Sequence, residues 1–137
     1  MAAHIAPGRV RLVGETSDPA GLLAAADVLV LPSRTEGMPG VIIEAMMRGV
    51  PVVATAVGAV PFMVRGGIEG FVVRPDDPAR LGSALAEVLA DHGRFQGRAI
   101  DTAVALFGED AVVTRWEDAL REVSDDRPLR RDRRSRS

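Results

Sequence analysis

Two glutamates in a glycine-containing loop are the residues of this chain best suited to chemistry. Glu36 and Glu44 lie eight positions apart, directly after the apolar run 27–31. Their spacing predicts that Glu36 lies in a loop and that Glu44 lies about one turn inside a short helix. Gly37 and Gly40 between them would let a ligand approach the backbone closely. The segment is therefore a candidate ligand site.

The chemistry of this segment favours a phosphorylated sugar. Ligands of open parallel sheets bind beyond the carboxyl ends of the strands, and a helix N terminus offers N–H groups and a positive dipole end to phosphate. A carboxylate would repel phosphate, so each glutamate should face vicinal hydroxyls, whose charge-assisted hydrogen bonds are worth roughly 1.5–3 kcal/mol each. Pro39 has no N–H, so the predicted donors are the amides of Gly37, Met38, Gly40 and Val41. Spacing alone also leaves open a plainer alternative, in which Glu44 is a solvated helix residue.

Composition excludes several other classes of protein. The 137 residues suffice for one domain with a core, and no run approaches the roughly 18 apolar residues that span a bilayer. The chain has no cysteine and no histidine cluster, so we expect no disulfide framework, no metal site and no cofactor. The start does not resemble a signal peptide, so we expect a cytoplasmic setting.

Charge is distributed unevenly along the chain. Residues 125–137 carry six arginines and three aspartates, whereas the rest carries 11 arginines and 16 acidic residues. The acidic body argues against a nucleic-acid surface. The tail has little to bury and is predicted to be disordered; it could also contact RNA or an anionic membrane, such as the inner face of the cell membrane.

The alternation of apolar runs and amphipathic segments predicts an α/β domain over residues 1–124. Strands are predicted at 10–14, 27–31, 50–55 and 70–74. Helices are predicted at 20–26, 40–48, 79–90, 93–107 and 109–123, with a turn and a short helix within 58–65. The last helix is expected to pack through Val112, Val113, Trp116 and Leu120. Strands separated by crossover helices predict a Rossmann-like parallel sheet with helices on both faces.

Several motifs in sequence resemble the C-terminal donor-binding domain of the retaining GT-B glycosyltransferases, the group 1 or GT4 family. They are the segment 26–33, the dipeptide 36–37, the tripeptide 44–46 and the segment 49–55. The family's hallmark is a glutamate pair separated by seven residues, which Glu36 and Glu44 match. The resemblance implies that Glu36 binds the transferred sugar as the catalytic carboxylate, that the intervening amides hold the diphosphate, and that Glu44 holds the ribose. It also implies transfer with retention from a nucleotide diphosphate sugar, without a required metal.

The chain departs from this family in two ways. Ala56, Ala59 and Phe62 stand where the family often has an aspartate, a glycine and a glutamate, so residues 56–63 are less reliable as ligand contacts. A complete enzyme also has an N-terminal acceptor-binding domain, and two further strands with an arginine and a lysine before Val10. Without those strands, either 10–14 pairs with 27–31 or the chain depends on a partner, and we expect a marginally stable, association-prone product.

Three functions remain open from the sequence. The first is a truncated glycosyltransferase that holds part of its donor site, with an acceptor glycan or lipid that the sequence does not identify. The second is a non-catalytic nucleotide-sugar-binding subunit that works with a separate N-terminal half. The third is an interaction module that uses the arginine-rich tail.

Overall fold

The computed structural model describes residues 10–125 as an alternation of helices and strands. The elements are α1 (Pro19–Ala24), β1 (Leu29–Leu31), α2 (Gly40–Met47), β2 (Val52–Thr55), α3 (Val60–Met63), β3 (Gly70–Val73), α4 (Pro78–Ala90), α5 (His92–Phe107) and α6 (Glu109–Asp125). The predicted disordered tail, apart from Asp125, lies outside the described residues, as does the segment 1–9. The predicted domain boundary stays a prediction.

The three strands form one parallel sheet in the order β1–β2–β3. Leu29 is the register partner of Val52, which is in turn the partner of Gly70. All three strands run in the same direction, so their carboxyl ends meet at one edge of the sheet. The predicted Rossmann-like α/β class is confirmed, and the loop that carries Glu36 leaves β1 at this edge.

Alternating side chains of β2 build a core on each face of the sheet. Val52 and Ala54 belong to a buried cluster with residues of α2, α3 and α5, whereas Val53 points to the opposite face. There it packs with Val73 of β3 and with buried residues of α4 and α5. Helices therefore cover both faces, which explains why the strands are continuous apolar runs.

The predicted strand at 10–14 does not form. Residues 10–14 have no regular secondary structure, and Leu12 is 93% exposed. A strand is stable only when a neighbour completes its hydrogen bonds, and the strands predicted beside this one by the family resemblance are not among the described residues. The alternative pairing of 10–14 with β1 does not occur either, so β1 is an edge strand of the described sheet.

The last helix forms as predicted but does not bury its apolar side. In α6, Trp116 is 66% exposed and Leu120 is 60% exposed. The helix packs against α5, and no other described element covers its apolar stripe extensively. The prediction that Trp116 lies in the core is wrong for the described part of the chain. Within residues 10–125, no helix is both long enough and apolar enough to cross a bilayer.

Candidate functional site

Glu36 lies in the loop between β1 and α2 and is held there by a neighbouring serine. The Ser33 hydroxyl donates a hydrogen bond to Glu36 Oε1 at 2.6 Å. The Ser33 carbonyl in turn accepts a hydrogen bond from the hydroxyl of Thr55, the last residue of β2. Glu36 is half-buried, so its carboxylate is oriented but still accessible. The sequence predicted the place of Glu36, but not the roles of Ser33 and Thr55.

The N terminus of α2 has no side-chain cap. Its N-cap residue is Pro39, which makes no side-chain hydrogen bond. The Pro39 carbonyl accepts a hydrogen bond from the Ile42 amide at 3.1 Å. Gly40 and Val41 follow as the first two helical residues, whose amides have no intrahelical partner. No N-cap side chain therefore neutralises the positive end of the helix.

Glu44 lies one turn inside α2, as predicted. A Cβ added to Gly40 would lie 4.0 Å from Glu44 Oε1, so the carboxylate reaches back towards the helix N terminus. Glu44 is exposed, as are Gly37 and Met38 in the loop. The structure thus brings both carboxylates and the candidate amides to one end of α2.

The turn before α3 contacts the loop between β1 and α2 and holds its backbone in place. The Ala59 amide donates to the Gly37 carbonyl at 2.8 Å. Gly58 has a φ of 52°, and a Cβ on it would lie 2.2 Å from the Glu36 carbonyl oxygen. Glycine is therefore required at position 58 both for its backbone conformation and for its contact with the loop. Sequence reasoning gave the segment 56–63 little weight, yet it positions the backbone of Glu36.

A cleft of about 560 Å³ lies at the carboxyl edge of the sheet, beside the N terminus of α4. It is lined by Pro32, Arg34, Thr55, Asp76, Asp77, Pro78 and Leu81. Arg34 and Asp76 form an ion pair across it, with Nε and Oδ1 2.9 Å apart. Arg34 therefore pairs with Asp76 and not with Glu36. Neither Glu36 nor Glu44 lines this cleft, although its lining residues Pro32, Arg34 and Thr55 flank or contact Ser33, which holds Glu36.

Glu69 is a buried carboxylate that the sequence analysis missed. It has no exposed surface and accepts hydrogen bonds from the Arg65 amide (2.7 Å), the Arg65 guanidinium (2.9 Å) and the Thr102 hydroxyl (2.5 Å). Burial by itself raises the pKa of Glu69, but the hydrogen bonds from Arg65 and Thr102, with the nearby guanidinium charge, hold that pKa below its usual value. The same hydrogen bond raises the pKa of Arg65. Glu69 is thus ionised and fully paired.

The described residues give no support for a metal site. Among residues 10–125 there is no group of three histidine, cysteine, aspartate or glutamate side chains that could hold an ion.

Comparison with known proteins places the chain in a family. Residues 1–91 match the model of the group 1 glycosyl transferases. The chain is 36% identical over 109 residues to D-inositol 3-phosphate glycosyltransferase of Mycolicibacterium gilvum, covering 77% of this chain and 25% of that protein. It is 33% identical to the lipopolysaccharide core biosynthesis glycosyltransferase LpsE of Rhizobium meliloti, covering 77% of this chain and 32% of the relative.

Solved structures agree with this assignment. HepE from Anabaena, solved in complex with UDP and glucose, superposes with a TM-score of 0.73 at 28% identity, covering 87% of this chain and 33% of HepE. Sucrose-phosphate synthase from Thermosynechococcus elongatus superposes with a TM-score of 0.66 at 33% identity, covering 76% and 27% of the two chains. The chain spans about a quarter to a third of the length of these proteins. The resemblance inferred from the sequence is confirmed, and the chain belongs to the group 1 glycosyltransferase family.

Proposed function

We propose that this chain forms the donor-binding part of a retaining glycosyltransferase that transfers a sugar from a nucleoside diphosphate sugar. The observation that carries the proposal is the arrangement at one end of α2. There, at the carboxyl edge of a parallel sheet, Glu36 lies in the loop that leads into an uncapped helix N terminus, and the Glu44 carboxylate reaches back towards that N terminus. Membership of the group 1 glycosyltransferase family supports a sugar donor as the ligand of this arrangement.

Each part of the arrangement suits one part of the donor. Glu36, oriented by Ser33, would accept hydrogen bonds from hydroxyls of the transferred sugar and act as the catalytic carboxylate. Glu44 would accept hydrogen bonds from the two hydroxyls of the ribose. Between them, the amides of the loop and of the first turn of α2 would bind the diphosphate; these are the amides of Gly37, Met38, Gly40 and Val41.

The helix end would also assist the reaction. When the bond between the sugar and the diphosphate breaks, negative charge develops on the leaving phosphate oxygen. Fixed amide dipoles that already point at this oxygen stabilise the charge without reorganising. Glu36 cannot serve the phosphates in this way because two negative charges repel, so its place is beside the sugar.

The proposed site binds the donor substrate and not the acceptor substrate. HepE was solved with UDP and with UDP-glucose, which supports a nucleotide sugar as the donor here. The proposal includes no metal and no cofactor, and it assumes a cytoplasmic setting. Because the chain spans about a quarter to a third of its relatives, we propose that the acceptor glycan or lipid is bound by an N-terminal domain outside this sequence.

The same coverage supports a second candidate function. The chain could be a non-catalytic nucleotide-sugar-binding subunit that becomes part of an enzyme only with a separately made N-terminal half. Both candidates bind the nucleotide alike and both need an N-terminal half for transfer, so they differ in whether that half belongs to the same polypeptide. Determining the mass of the polypeptide that carries these residues in its source cells separates them, because a split enzyme gives a chain of about the present length and a complete enzyme gives a much longer one.

Nucleotide binding is tested by calorimetric titration of UDP into the wild type, Glu44→Gln and Glu36→Gln. Glu44→Gln should bind UDP about tenfold more weakly, since a hydrogen bond to a charged group is lost. Glu36→Gln should bind UDP nearly as tightly as the wild type, because its proposed partner is the sugar that UDP lacks. Glu122→Gln removes an exposed carboxylate of α6 and serves as the control. Equal affinities of the wild type and Glu44→Gln would rule out the proposed ribose site.

A further inference from the structure

The short helix α3 is held at both of its ends by hydrogen bonds. At its C-terminal end, the Arg65 amide donates to Glu69 Oε2 at 2.7 Å. At its N-terminal end, the Ala59 amide donates to the Gly37 carbonyl, and Gly58 packs against the Glu36 carbonyl. The four-residue helix thus lies between a buried carboxylate and the loop of the candidate donor site.

Glu69 is itself fixed by a second element. Its Oε1 accepts the Thr102 hydroxyl at 2.5 Å, and Thr102 lies in the middle of α5. The Arg65 guanidinium donates to the same carboxylate and to Thr102, at 2.7 Å for the latter. The carboxylate therefore ties the end of α3 to a long helix that packs on the core.

We propose that Glu69 is a positioning residue for the donor-site loop. It touches no ligand; it fixes the Arg65 amide, and through α3 it fixes the Gly58–Ala59 turn that holds the backbone of Glu36 and Gly37. This inference rests on the proposed function only for its consequence in nucleotide binding. The mechanical part, the coupling between Glu69 and the Ala59 hydrogen bond, is independent of any ligand.

Burial of apolar surface alone does not account for Glu69. Val60, Met63 and Val64 already bury the apolar side of α3 and the residue that follows it. Replacing both partners of a buried ion pair by apolar side chains is often neutral, so stability alone does not call for a carboxylate at this position. The carboxylate instead fixes the orientation of the chain after α3, because it accepts hydrogen bonds from the Arg65 amide, the Arg65 guanidinium and the Thr102 hydroxyl.

The variant Glu69→Met tests the proposal because methionine fills a similar volume and accepts no strong hydrogen bond. Amide hydrogen exchange followed by NMR reports on the Ala59 amide directly. We expect that amide to exchange about tenfold faster in Glu69→Met, the factor that corresponds to one lost buried hydrogen bond. Glu69→Gln retains one oxygen acceptor and should exchange at an intermediate rate.

A matched control separates positioning from general loss of stability. Val88→Ala removes buried apolar volume from α4, on the opposite face of the sheet from α3. It should leave the Ala59 exchange rate, relative to other amides of the same variant, unchanged. If Glu69→Met does not fold, Thr102→Val removes the hydroxyl that donates to Glu69 and accepts from Arg65, leaves the Glu69 carboxylate in place, and should accelerate Ala59 exchange by a smaller factor.

UDP titration of the same proteins gives the functional consequence. Glu69→Met should bind UDP several-fold more weakly than Val88→Ala. Ala59 exchange that is the same in Glu69→Met and in the wild type overturns the positioning role. If the wild type and Glu44→Gln bind UDP equally, the proposed function fails, while the exchange data still decide whether Glu69 positions the loop.

Discussion

Two helices begin at the same edge of the sheet, and their N termini are built in opposite ways. Helix α4 follows β3, and its N-cap residue Asp77 accepts a hydrogen bond from the Arg80 amide at 2.9 Å. Helix α2 follows β1, and its N-cap residue Pro39 caps nothing. Both ends carry the same positive dipole, but only α4 has an N-cap carboxylate that accepts a hydrogen bond from a first-turn amide.

The difference predicts where an anion would bind. At α4 a diphosphate would have to displace Asp77 from its amide and would meet the neighbouring Asp76 as well. At α2 no N-cap side chain accepts a hydrogen bond from the first-turn amides, although the Glu44 carboxylate reaches back towards Gly40. The cleft of about 560 Å³ lies beside α4, but on electrostatic grounds we expect phosphate at the end of α2.

The largest expected effect concerns the glycine beneath the α2 loop. Gly58→Ala should destabilise the protein by about 2–5 kcal/mol. The left-handed backbone conformation is unfavourable for alanine, and the added Cβ would clash with the Glu36 carbonyl. Its counterpart Gly82 lies inside α4 with no atom within 4 Å of an added Cβ, so Gly82→Ala should stabilise by about 1 kcal/mol. Urea denaturation measures both, and a Gly58→Ala protein as stable as the wild type would contradict the described contact.

The next effect tests the comparison by giving α2 the cap that α4 has. Pro39→Asp places a carboxylate where it can accept the free amides of the first turn, so it competes with phosphate and repels it. We expect the affinity for UDP to fall about tenfold, the scale of one good helix cap. Ala79→Asp adds the same charge to the first turn of α4 and should leave UDP affinity unchanged. An equal loss of UDP affinity in both variants would point to a general charge effect. An unchanged UDP affinity in Pro39→Asp would contradict phosphate binding at the N terminus of α2.

Much of the fold could be predicted because its signals are local. Helix α2 was predicted at 40–48 and ends at Met47, and Gly49 has the positive φ of 74° that its role as a stop requires. Strand β2 begins after Pro51, as the run 50–55 indicated. The strand at 10–14 has an equally good local pattern, but a strand also needs a neighbour, and no local pattern supplies one.

Some residues of the candidate site could likewise be predicted from local sequence, and others could not. The loop position of Glu36 and the helical position of Glu44 followed from an apolar run, two glycines and a short amphipathic segment. Glu69 could not be found like this, because its partner Thr102 is 33 residues away and the two meet only through packing. The roles of Glu36 and Glu44 towards a ligand stay predictions that the titrations above decide.

A smaller effect should follow from removing the cap of α4. Asp77→Ala leaves the Arg80 amide without its acceptor and should cost about 1 kcal/mol of stability, a typical value for an N-cap aspartate. UDP affinity should not change, since the nucleotide is expected at α2. Thermal unfolding measures the first quantity and calorimetry the second. Tighter UDP binding in this variant would show that α4 also accepts phosphate once its own carboxylate is gone.

The smallest effect is expected from the ion pair in the cleft beside α4. Arg34 and Asp76 are 83% and 68% exposed, so Arg34→Ala should change stability by less than about 1 kcal/mol, as is usual for surface pairs. UDP affinity should also stay the same, because Arg34 is already paired with Asp76. Asp76→Ala frees Arg34 and is the informative partner variant. If Asp76→Ala strengthens UDP binding and Arg34→Ala abolishes that gain, the guanidinium can reach the diphosphate, and the two helix ends would share one anion site.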